Sequence, residues 1–412
     1  MTSAPLSARR ILAICVARVF LFATFMTVAA TLPLIMADWG ISATAAGAII
    51  SSFTIGYALS LFIFAWAADY FGAKRMVVVS ALAAATASAL FGLFATDAYS
   101  ALVLYGLVGL TQGGVYTPLI MVLSDEIQPK RRGRVMGQLI ASTSLGYTVS
   151  LLAAGLGIAL GGWSTAFWLS GLLPTLGAVI LLAALHPIAN RIHPRPPPRS
   201  SPSSQPAPSP QRREQRLLIS GYIAHSWELL GMWAWVPAFL TAALALHGME
   251  AAGATVSGAY ISGGLHVFGA IAALSMGRLS DHSGRRPVLI ALAATGALLS
   301  FSIGWLVHAP LILLLPLVLA YTFVCIGDSP VLTTALSETV PPGQFGTVLA
   351  WRSLAGFGAG AVAPLGVGWV LDLAQAAQAP PAVSWGLGFA ALGMGGAIAW
   401  LCALALPHRP RR

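Results

Sequence analysis

Long apolar segments alternate with short polar ones along the whole chain. Twelve of these segments have the length and apolarity to cross a bilayer, which takes about 20 residues of helix. They lie approximately at 11–36, 44–66, 76–94, 100–123, 135–160, 164–186, 217–246, 252–276, 287–306, 311–334, 346–371 and 382–406. The pattern predicts an all-α membrane protein with twelve transmembrane helices.

Composition and charge support the same class. The chain is 57% hydrophobic and 8% charged, whereas soluble proteins are about 25% charged. Its net charge of +10 does not indicate a nucleic-acid partner, because Lys and Arg cluster in the two termini and in alternate loops. Only Arg18 and Arg352 depart from this distribution. By the positive-inside rule we predict a multi-pass protein of the plasma membrane with both termini cytoplasmic.

A segment rich in Pro, Ser and Arg divides the chain after the sixth apolar segment. We predict an N-terminal six-helix half at 1–186, an extended cytoplasmic linker at 187–216 and a C-terminal half at 217–412. The halves repeat one another, since "DYFG" from Asp69 recurs as "DHSG" from Asp281 at an offset of 212. "LSDEIQPKRRGRVMG" likewise aligns with "LSETVPPGQFGTVLA" at an offset of 213. Two parallel six-helix repeats are typical of transporters whose substrate site lies between the halves.

The loop "GRLSDHSGRR" resembles the signature loop of the major facilitator superfamily, Gly-x-Leu-Ala-Asp-basic-x-Gly-basic-basic. It matches this signature at Gly277, Leu279, Asp281, Gly284, Arg285 and Arg286, and departs from it at Ser280 and His282. The first-half copy, "AWAADYFGAK", keeps Ala68, Asp69, Gly72 and Lys74. Together with the twelve spans, the linker and the repeat, the resemblance covers the whole chain.

The resemblance implies alternating access between the two halves. It also implies that the signature loops form a cytoplasmic latch that holds the outward-open state. Gly72 and Gly284 would permit the tight turns. In the alternative interpretation, Asp69 and Asp281 only cap neighbouring helices or pair with Arg, and so assist folding.

Four charged residues fall inside the apolar segments: Arg18, Glu228, Asp328 and Arg352. A charge near the bilayer centre costs about 2.5 to 3.5 kcal/mol, so such residues normally face a cavity or a partner. In the seventh segment His225, Glu228, Met232 and Trp235 follow one helical stripe. The resemblance implies that Arg18, Glu228 and Asp328 lie on helices that line the central cavity, with Arg352 on a helix that borders it.

Several roles stay open for the two acids. Glu228 carries a proton, because burial favours the neutral carboxyl group, or it binds a cationic substrate, or it forms a fixed salt bridge with Arg18 or another cation. For Asp328 we favour a structural pair with Arg352 over substrate or proton binding. Pro330 suggests that the helix is locally broken just after Asp328.

The remaining candidates also have two interpretations each. Arg18 and Arg352 recognise an anion through the guanidinium fork, or they neutralise the two acids. His225 and His266 are hydrogen-bonding groups of the cavity or proton couplers. Tyr105 and Trp235 are assigned to the cavity wall; Trp235 could equally be a packing residue, and both of these roles are favoured for it over a cation cage. Proton-coupled members of the family often have Arg four residues before a Gly of the fourth helix, where this chain has Tyr105.

These observations predict a monomeric secondary transporter in the lipid bilayer that moves a small anion together with protons. The alternative is proton-driven efflux of a cationic or amphipathic compound. The sequence contains no Gly-rich phosphate loop and no nucleotide-binding domain, and no His or Cys pairs at metal-ligand spacing. We therefore expect neither an enzyme nor a cofactor or metal.

Overall fold

The computed structural model describes residues 7–192, 209–340 and 345–407, and these contain helices and no strands. They form the α-helices α1 Ala8–Leu21, α2 Thr27–Trp39, α3 Ala43–Phe71, α4 Ala73–Phe94, α5 Ala98–Gln112, α6 Thr117–Glu126, α7 Pro129–Leu185, α8 Ser209–Leu246, α9 Ala251–Ser283, α10 Arg285–Ile303, α11 Leu311–Ser337, α12 Phe345–Ala376 and α13 Pro381–Ala405. Short 3₁₀ helices follow α5 at Gly113–Val115 and α10 at Gly304–Leu306. The predicted all-α class is confirmed.

The helices account for the twelve predicted spans. Within the described ranges, 10 helical stretches are long and apolar enough to cross a membrane. One of them, Arg134–Leu185 in α7, has 52 residues, enough for the predicted fifth and sixth spans. The first predicted span corresponds to α1 followed by the shorter apolar helix α2.

Two glycines divide α7 where the sequence separates its fifth and sixth spans. Gly161 has φ −173°, and Gly162 has φ +80° and ψ −168°, a conformation that is strained for residues with a Cβ. The helical backbone is therefore interrupted between the two spans.

The first predicted span is interrupted by a turn at residues 22–26. Side chains of neighbouring helices satisfy the backbone groups that the turn frees, as membrane helices require. Gln112 Nε2 donates to the Leu21 carbonyl at 2.8 Å, and Ser150 Oγ accepts from the Met26 amide at 2.9 Å. The Tyr105 hydroxyl donates to the Phe25 carbonyl. Tyr105, which we assigned to a cavity wall, is buried and bonded to this turn.

The chain divides into two compact units. Unit 1 comprises Met1–His193 and Ala234–Val267, and unit 2 comprises Pro194–Trp233 and Phe268–Arg412. Helices α8 and α9 each contribute residues to both units. The predicted six-helix halves and their boundaries remain a prediction.

The ends of the predicted linker differ from an extended tether. Helix α8 begins at Ser209, and Gln211 and Gln215 each donate to the Thr339 carbonyl at 2.6 Å, so 209–216 are helical. At the other end, Arg191 pairs with Glu126 at 2.8 Å. The central part, 193–208, lies outside the described residues.

Candidate functional site

The two signature loops form the same tight turn. Gly72, between α3 and α4, has φ +88° and ψ +140°, and Gly284, between α9 and α10, has φ +90° and ψ +152°. A Cβ at Gly72 would collide with the Asn190 side chain. The predicted role of both glycines in a tight turn is therefore consistent with their backbone conformations.

Basic residues tie each signature loop to its own unit. Lys74 Nζ donates to the His186 carbonyl at 3.1 Å and to the Ile188 carbonyl. Arg286 donates to the Leu404 carbonyl at 3.0 Å.

Asp281 pairs with Arg285 at 2.6 Å, and Arg285 also reaches Glu338 at 3.0 Å. No side chain caps the start of α4 or α10, and among the described residues Asp281 forms the ion pair with Arg285. Gly277 has open space beside its Cα. The latch role of these loops, Asp69 included, remains a prediction.

Arg18 lies in the interior of unit 1 with 0% of its surface exposed. Its Nη1 donates to the Leu139 carbonyl at 2.7 Å and its Nη2 to the Thr143 hydroxyl at 2.8 Å. Its buried Nε has no hydrogen-bond partner among the described residues. Over the same ranges no carboxylate of unit 1 lies within ion-pair distance, so the guanidinium is bound only by neutral groups.

Aromatic side chains surround this guanidinium. Its central carbon lies 5.5 Å from the ring centroids of both Phe22 and Tyr116. Tyr57 and Tyr147 are also within its electrostatic range. Phe22 begins the turn after α1, and Tyr116 follows the 3₁₀ turn after α5. Arg18 thus lies where two interrupted spans of unit 1 approach each other, among ring faces and hydroxyl groups.

In unit 2, His225 and Asp328 lie together. His225 Nδ1 is 2.9 Å from Asp328 Oδ1, within ion-pair distance, although the ring is not aligned for a hydrogen bond to that oxygen. His225 Nε2 is 2.8 Å from the Ser329 hydroxyl. Helix α11 continues through Pro330, so the predicted break after Asp328 is wrong.

Arg352 does not pair with Asp328, the partner that we predicted. Its guanidinium carbon lies 3.7 Å from the centroid of the Tyr222 ring, a cation–π geometry, and its Nη1 donates to Thr333 Oγ1 at 3.1 Å. Asp328 contacts His225 instead. The favoured Asp328–Arg352 pair is therefore wrong.

Glu228 occupies a narrow slot between helices of unit 2. A Cβ added to Gly396 of α13 would lie 2.6 Å from Glu228 Oε2, and one added to Gly296 of α10 would lie 3.8 Å from both carboxyl oxygens. Tyr321 and Cys325 of α11 and Ser300 of α10 interact with the carboxyl group. Glu228 is 4% exposed, and its Oε1 has no hydrogen-bond partner within the described ranges. It is therefore packed among helices of its own unit, and its predicted place at a polar cavity remains a prediction.

Two predicted site residues belong to unit 1, with Arg18. His266 is 5% exposed, and its ring meets the edge of Tyr147 at 5.6 Å. Trp235 is buried at 1% exposure. The structure therefore brings together His225, Asp328 and the Glu228 region in unit 2, and it places Arg18 and His266 in unit 1.

The sequence interpretation missed the partners of these charges. Tyr321 and Cys325 precede Asp328 by seven and three residues on α11, a helical spacing that predicts a shared face. The sequence therefore already indicated that Tyr321 and Cys325 lie on the same side of their helix as Asp328. The tyrosines around Arg18 left no comparable pattern, since their proximity to Arg18 depends on how helices pack. In the described ranges no three His, Cys, Asp or Glu side chains group as metal ligands.

Comparison with known proteins decides the family. The family model described as Major Facilitator Superfamily matches residues 14–364. The chain belongs to this superfamily. The predicted family and the predicted fold class are therefore confirmed.

Individual relatives match only part of the chain, at low sequence identity. The "Uncharacterized transporter YgaY" of Escherichia coli O157:H7 is 28% identical over 160 residues, 38% of this chain and 39% of that protein. The "Cis,cis-muconate transport protein" of Acinetobacter baylyi is 31% identical over 161 residues, 39% of this chain and 38% of that protein. The chain thus covers under two fifths of the length of either relative.

A solved structure matches over nearly the full length. The crystal structure of a bacterial homolog to the human lysosomal transporter Spinster aligns with a TM-score of 0.75 at 16% identity, covering 98% of both chains. At this identity the likeness concerns the fold.

Proposed function

We infer that this superfamily member carries a small anion across the plasma membrane by alternating access, coupled to protons. Arg18 of unit 1 binds the anion, and Glu228 of unit 2 carries the proton. The observation that supports this most is the burial of Arg18 without a carboxylate partner in its unit.

A buried guanidinium bound only by neutral groups is costly, because desolvation is not offset by an opposite charge. An anionic solute offsets that cost each time it binds. The planar guanidinium fork matches carboxylate and related anions, and Nε is a donor still free within the described ranges.

The surroundings of Arg18 favour an organic anion. The Thr143 hydroxyl and the tyrosines near Arg18 supply hydrogen-bonding groups, while Phe22 supplies an apolar ring face. The similarity to a relative named for cis,cis-muconate, an organic anion, supports the same class.

The proton assignment rests on Glu228. Its carboxyl group has no cationic partner in the described part of unit 2, so the ionised form would be a buried charge without compensation. A buried carboxyl group without a cationic partner gains or loses its proton when its access to water changes. Such a group can therefore couple proton movement to the movement of the solute. His225, Asp328 and Arg352 are secondary candidates for proton or solute contact, and His266 is one in unit 1.

The distribution of basic residues along the chain supports cytoplasmic termini in the plasma membrane. A monomer is the simplest state for a chain that carries both repeats. The superfamily match supports a transporter and not an enzyme.

Thermal stability of the purified protein tests the anion site. We would measure Tm with nitrate, phosphate, benzoate, cis,cis-muconate and tetraphenylphosphonium. A ligand at 100 times its Kd stabilises the folded state by about 2.7 kcal/mol, so a binding anion raises Tm. Arg18→Ala is expected to abolish that rise, and Arg18→Lys to reduce it because the fork is lost.

Arg75→Ala is the matched control, since Arg75 is an exposed arginine of the same unit; it should keep the full rise. Stabilisation by tetraphenylphosphonium alone, unchanged in Arg18→Ala, would contradict the anion proposal and favour efflux of cationic compounds.

A further inference from the structure

Gln112 lies at the end of α5, beside the turn that follows α1. It is fully buried, and its Nε2 donates to the Leu21 carbonyl at 2.8 Å. This bond fixes which way the amide group is turned, because exchanging its nitrogen and oxygen would bring two acceptor oxygens together. The other end of the amide is therefore the acceptor Oε1, which has no hydrogen-bond partner among the residues that the structure describes.

Close packing of α5 against α3 fixes the position of Gln112. A Cβ added to Gly109, three residues earlier, would lie 2.1 Å from the Phe53 carbonyl oxygen, and one added to Gly113 would lie 2.3 Å from the carbonyl carbon of Ser60. Backbones approach this closely only where no Cβ intervenes. A small shift of α5 therefore does not relieve the unpaired oxygen of Gln112.

Two contacts place Gln112 near the Arg18 guanidinium. Gln112 bonds to Leu21, which follows Arg18 by three residues on α1. Tyr116 follows Gln112 by four residues, and its ring centroid lies 5.5 Å from the guanidinium carbon of Arg18. Segment 112–116 thus runs beside α1 in the opposite direction, and Gln112 lies about one helical turn, ~5.4 Å, along α1 from Arg18.

Arg18 and Gln112 have complementary hydrogen-bonding needs. Arg18 Nε is a buried donor and Gln112 Oε1 is a buried acceptor, and neither has a partner within the described ranges. A buried polar group without a partner is costly. One molecule removes both costs if it offers an acceptor to Arg18 and a donor to Gln112.

The chemistry of this molecule follows from the two groups. An ionised carboxylate only accepts hydrogen bonds, so it satisfies Arg18 but not Gln112 Oε1. The donor must be a different group of the same solute. An ammonium group would be repelled by the nearby guanidinium, whereas an uncharged hydroxyl or amide N–H would not.

We propose that Gln112 is a specificity-determining residue, whose Oε1 accepts a hydrogen bond from an uncharged hydroxyl or amide N–H of the solute while Arg18 binds the carboxylate. The solute class is thus a carboxylate that also carries a neutral donor, such as a hydroxy acid. The inference rests on the proposed role of Arg18 as the anion site.

A purely structural role explains only the donor end of the Gln112 amide. The same turn is also held by the Tyr105 hydroxyl, which donates to the Phe25 carbonyl, and by Ser150 Oγ, which accepts from the Met26 amide at 2.9 Å. Neither hydroxyl oxygen is left without a partner in the described part of unit 1. Holding the turn therefore does not require the unpaired acceptor that Gln112 brings.

Matched acids test the proposal. We would measure Tm of the purified protein against the concentration of butyrate and of 2-, 3- and 4-hydroxybutyrate, which gives a Kd for each acid. The four acids share a carboxylate and a chain length and differ only in the hydroxyl group. At least one hydroxybutyrate should bind about tenfold more tightly than butyrate, the change that one hydrogen bond contributes.

Gln112→Met keeps the side-chain length with only a weak acceptor, and it should bring the ratio of the two Kd values to about one. It also removes the bond to Leu21, so Tm of the unliganded variant should fall whatever Oε1 binds. The Kd ratio separates the two roles, because a merely structural change weakens butyrate and the hydroxybutyrates alike. Ser150→Ala is the matched control, since it removes a bond at the other end of the same turn; it should lower Tm and keep the ratio.

Equal affinity of the natural protein for all four acids would overturn the proposal, and so would an unchanged ratio in Gln112→Met. The first comparison needs no variant and stays decisive if Gln112→Met does not fold. Acids that bind without any hydroxyl preference, and lose binding in Arg18→Ala, would reject the role of Gln112 and leave the anion site standing. No stabilisation by any carboxylate, in this series or in the Arg18 panel, would reject both.

Discussion

The four charged side chains inside the apolar segments have different surroundings. Arg18 is bound by a carbonyl and a hydroxyl, and Arg352 by an aromatic ring and a hydroxyl. Asp328 has a histidine at 2.9 Å, and the Glu228 carboxyl group lies between two glycines. The sequence alone identified all four as unusual, because charges are rare in apolar helices. It did not identify their partners, because a partner on another helix depends on how that helix is rotated and placed. The wrong Asp328–Arg352 pair is an example of this.

Outside the membrane-spanning segments, Asp97 shows how an exposed residue responds to pH. Its Oδ1 accepts the Ser100 amide at 3.0 Å and the Tyr99 amide at 2.9 Å, closing a capping box at the start of α5. The Ser100 amide, then the Ser100 hydroxyl, lowers the pKa of Asp97 below its ordinary value. A lowered folded-state pKa stabilises the fold above the unfolded pKa, and this contribution is lost as pH falls through the folded value.

We therefore predict that Asp97→Ala lowers Tm at neutral pH and that the difference shrinks below about pH 4, near the ordinary pKa of Asp. Tm of both proteins measured between neutral and acidic pH checks this. A difference that stays constant over the whole range would contradict the assignment.

Helix interruptions were only partly predictable at the scale of elements. The break in α7 lies at Gly161 and Gly162, which the sequence displays. The turn at 22–26 reads "FATFM", with neither Gly nor Pro, and it depends on Gln112, Tyr105 and Ser150 of other helices. At Pro330 the sequence predicted a helix break that does not exist. Helix α11 continues through Pro330, and the Thr334 hydroxyl donates to the Pro330 carbonyl at 2.8 Å.

Close approach of α13 to the Glu228 slot makes Gly396 a sensitive position. A Cβ there would lie 2.6 Å from Glu228 Oε2 and 3.0 Å from the Ala297 Cα. We predict that Gly396→Ala destabilises the protein by about 1 to 3 kcal/mol, typical of overpacking. Thermal unfolding of the purified protein measures the effect.

Gly358→Ala is the matched control on α12, since a Cβ at Gly358 meets nothing within 4 Å. It should be neutral or slightly stabilising, because Ala favours helix by up to about 1 kcal/mol. Equal effects of the two substitutions would contradict a tight slot at Glu228.

The family and the fold class were predictable at the scale of the whole molecule because both are carried by patterns that span the chain. Hydropathy marked the spans, and the offsets of 212 and 213 marked the repeat. The glycines of the two signature loops share one backbone conformation, as an internal repeat implies. The substrate is not carried by such a pattern, because it depends on a few side chains such as those around Arg18.

The central claim is coupled movement of an anion and a proton. The most direct measurement is internal pH in proteoliposomes after external addition of the anion that raises Tm most in the binding panel. The account predicts a pH change that accompanies anion movement, lost with its transport in Arg18→Ala. In Glu228→Gln the anion should still bind and exchange, but without the pH change. Anion movement with no pH change in the natural protein, or proton movement driven only by tetraphenylphosphonium, would contradict the claim.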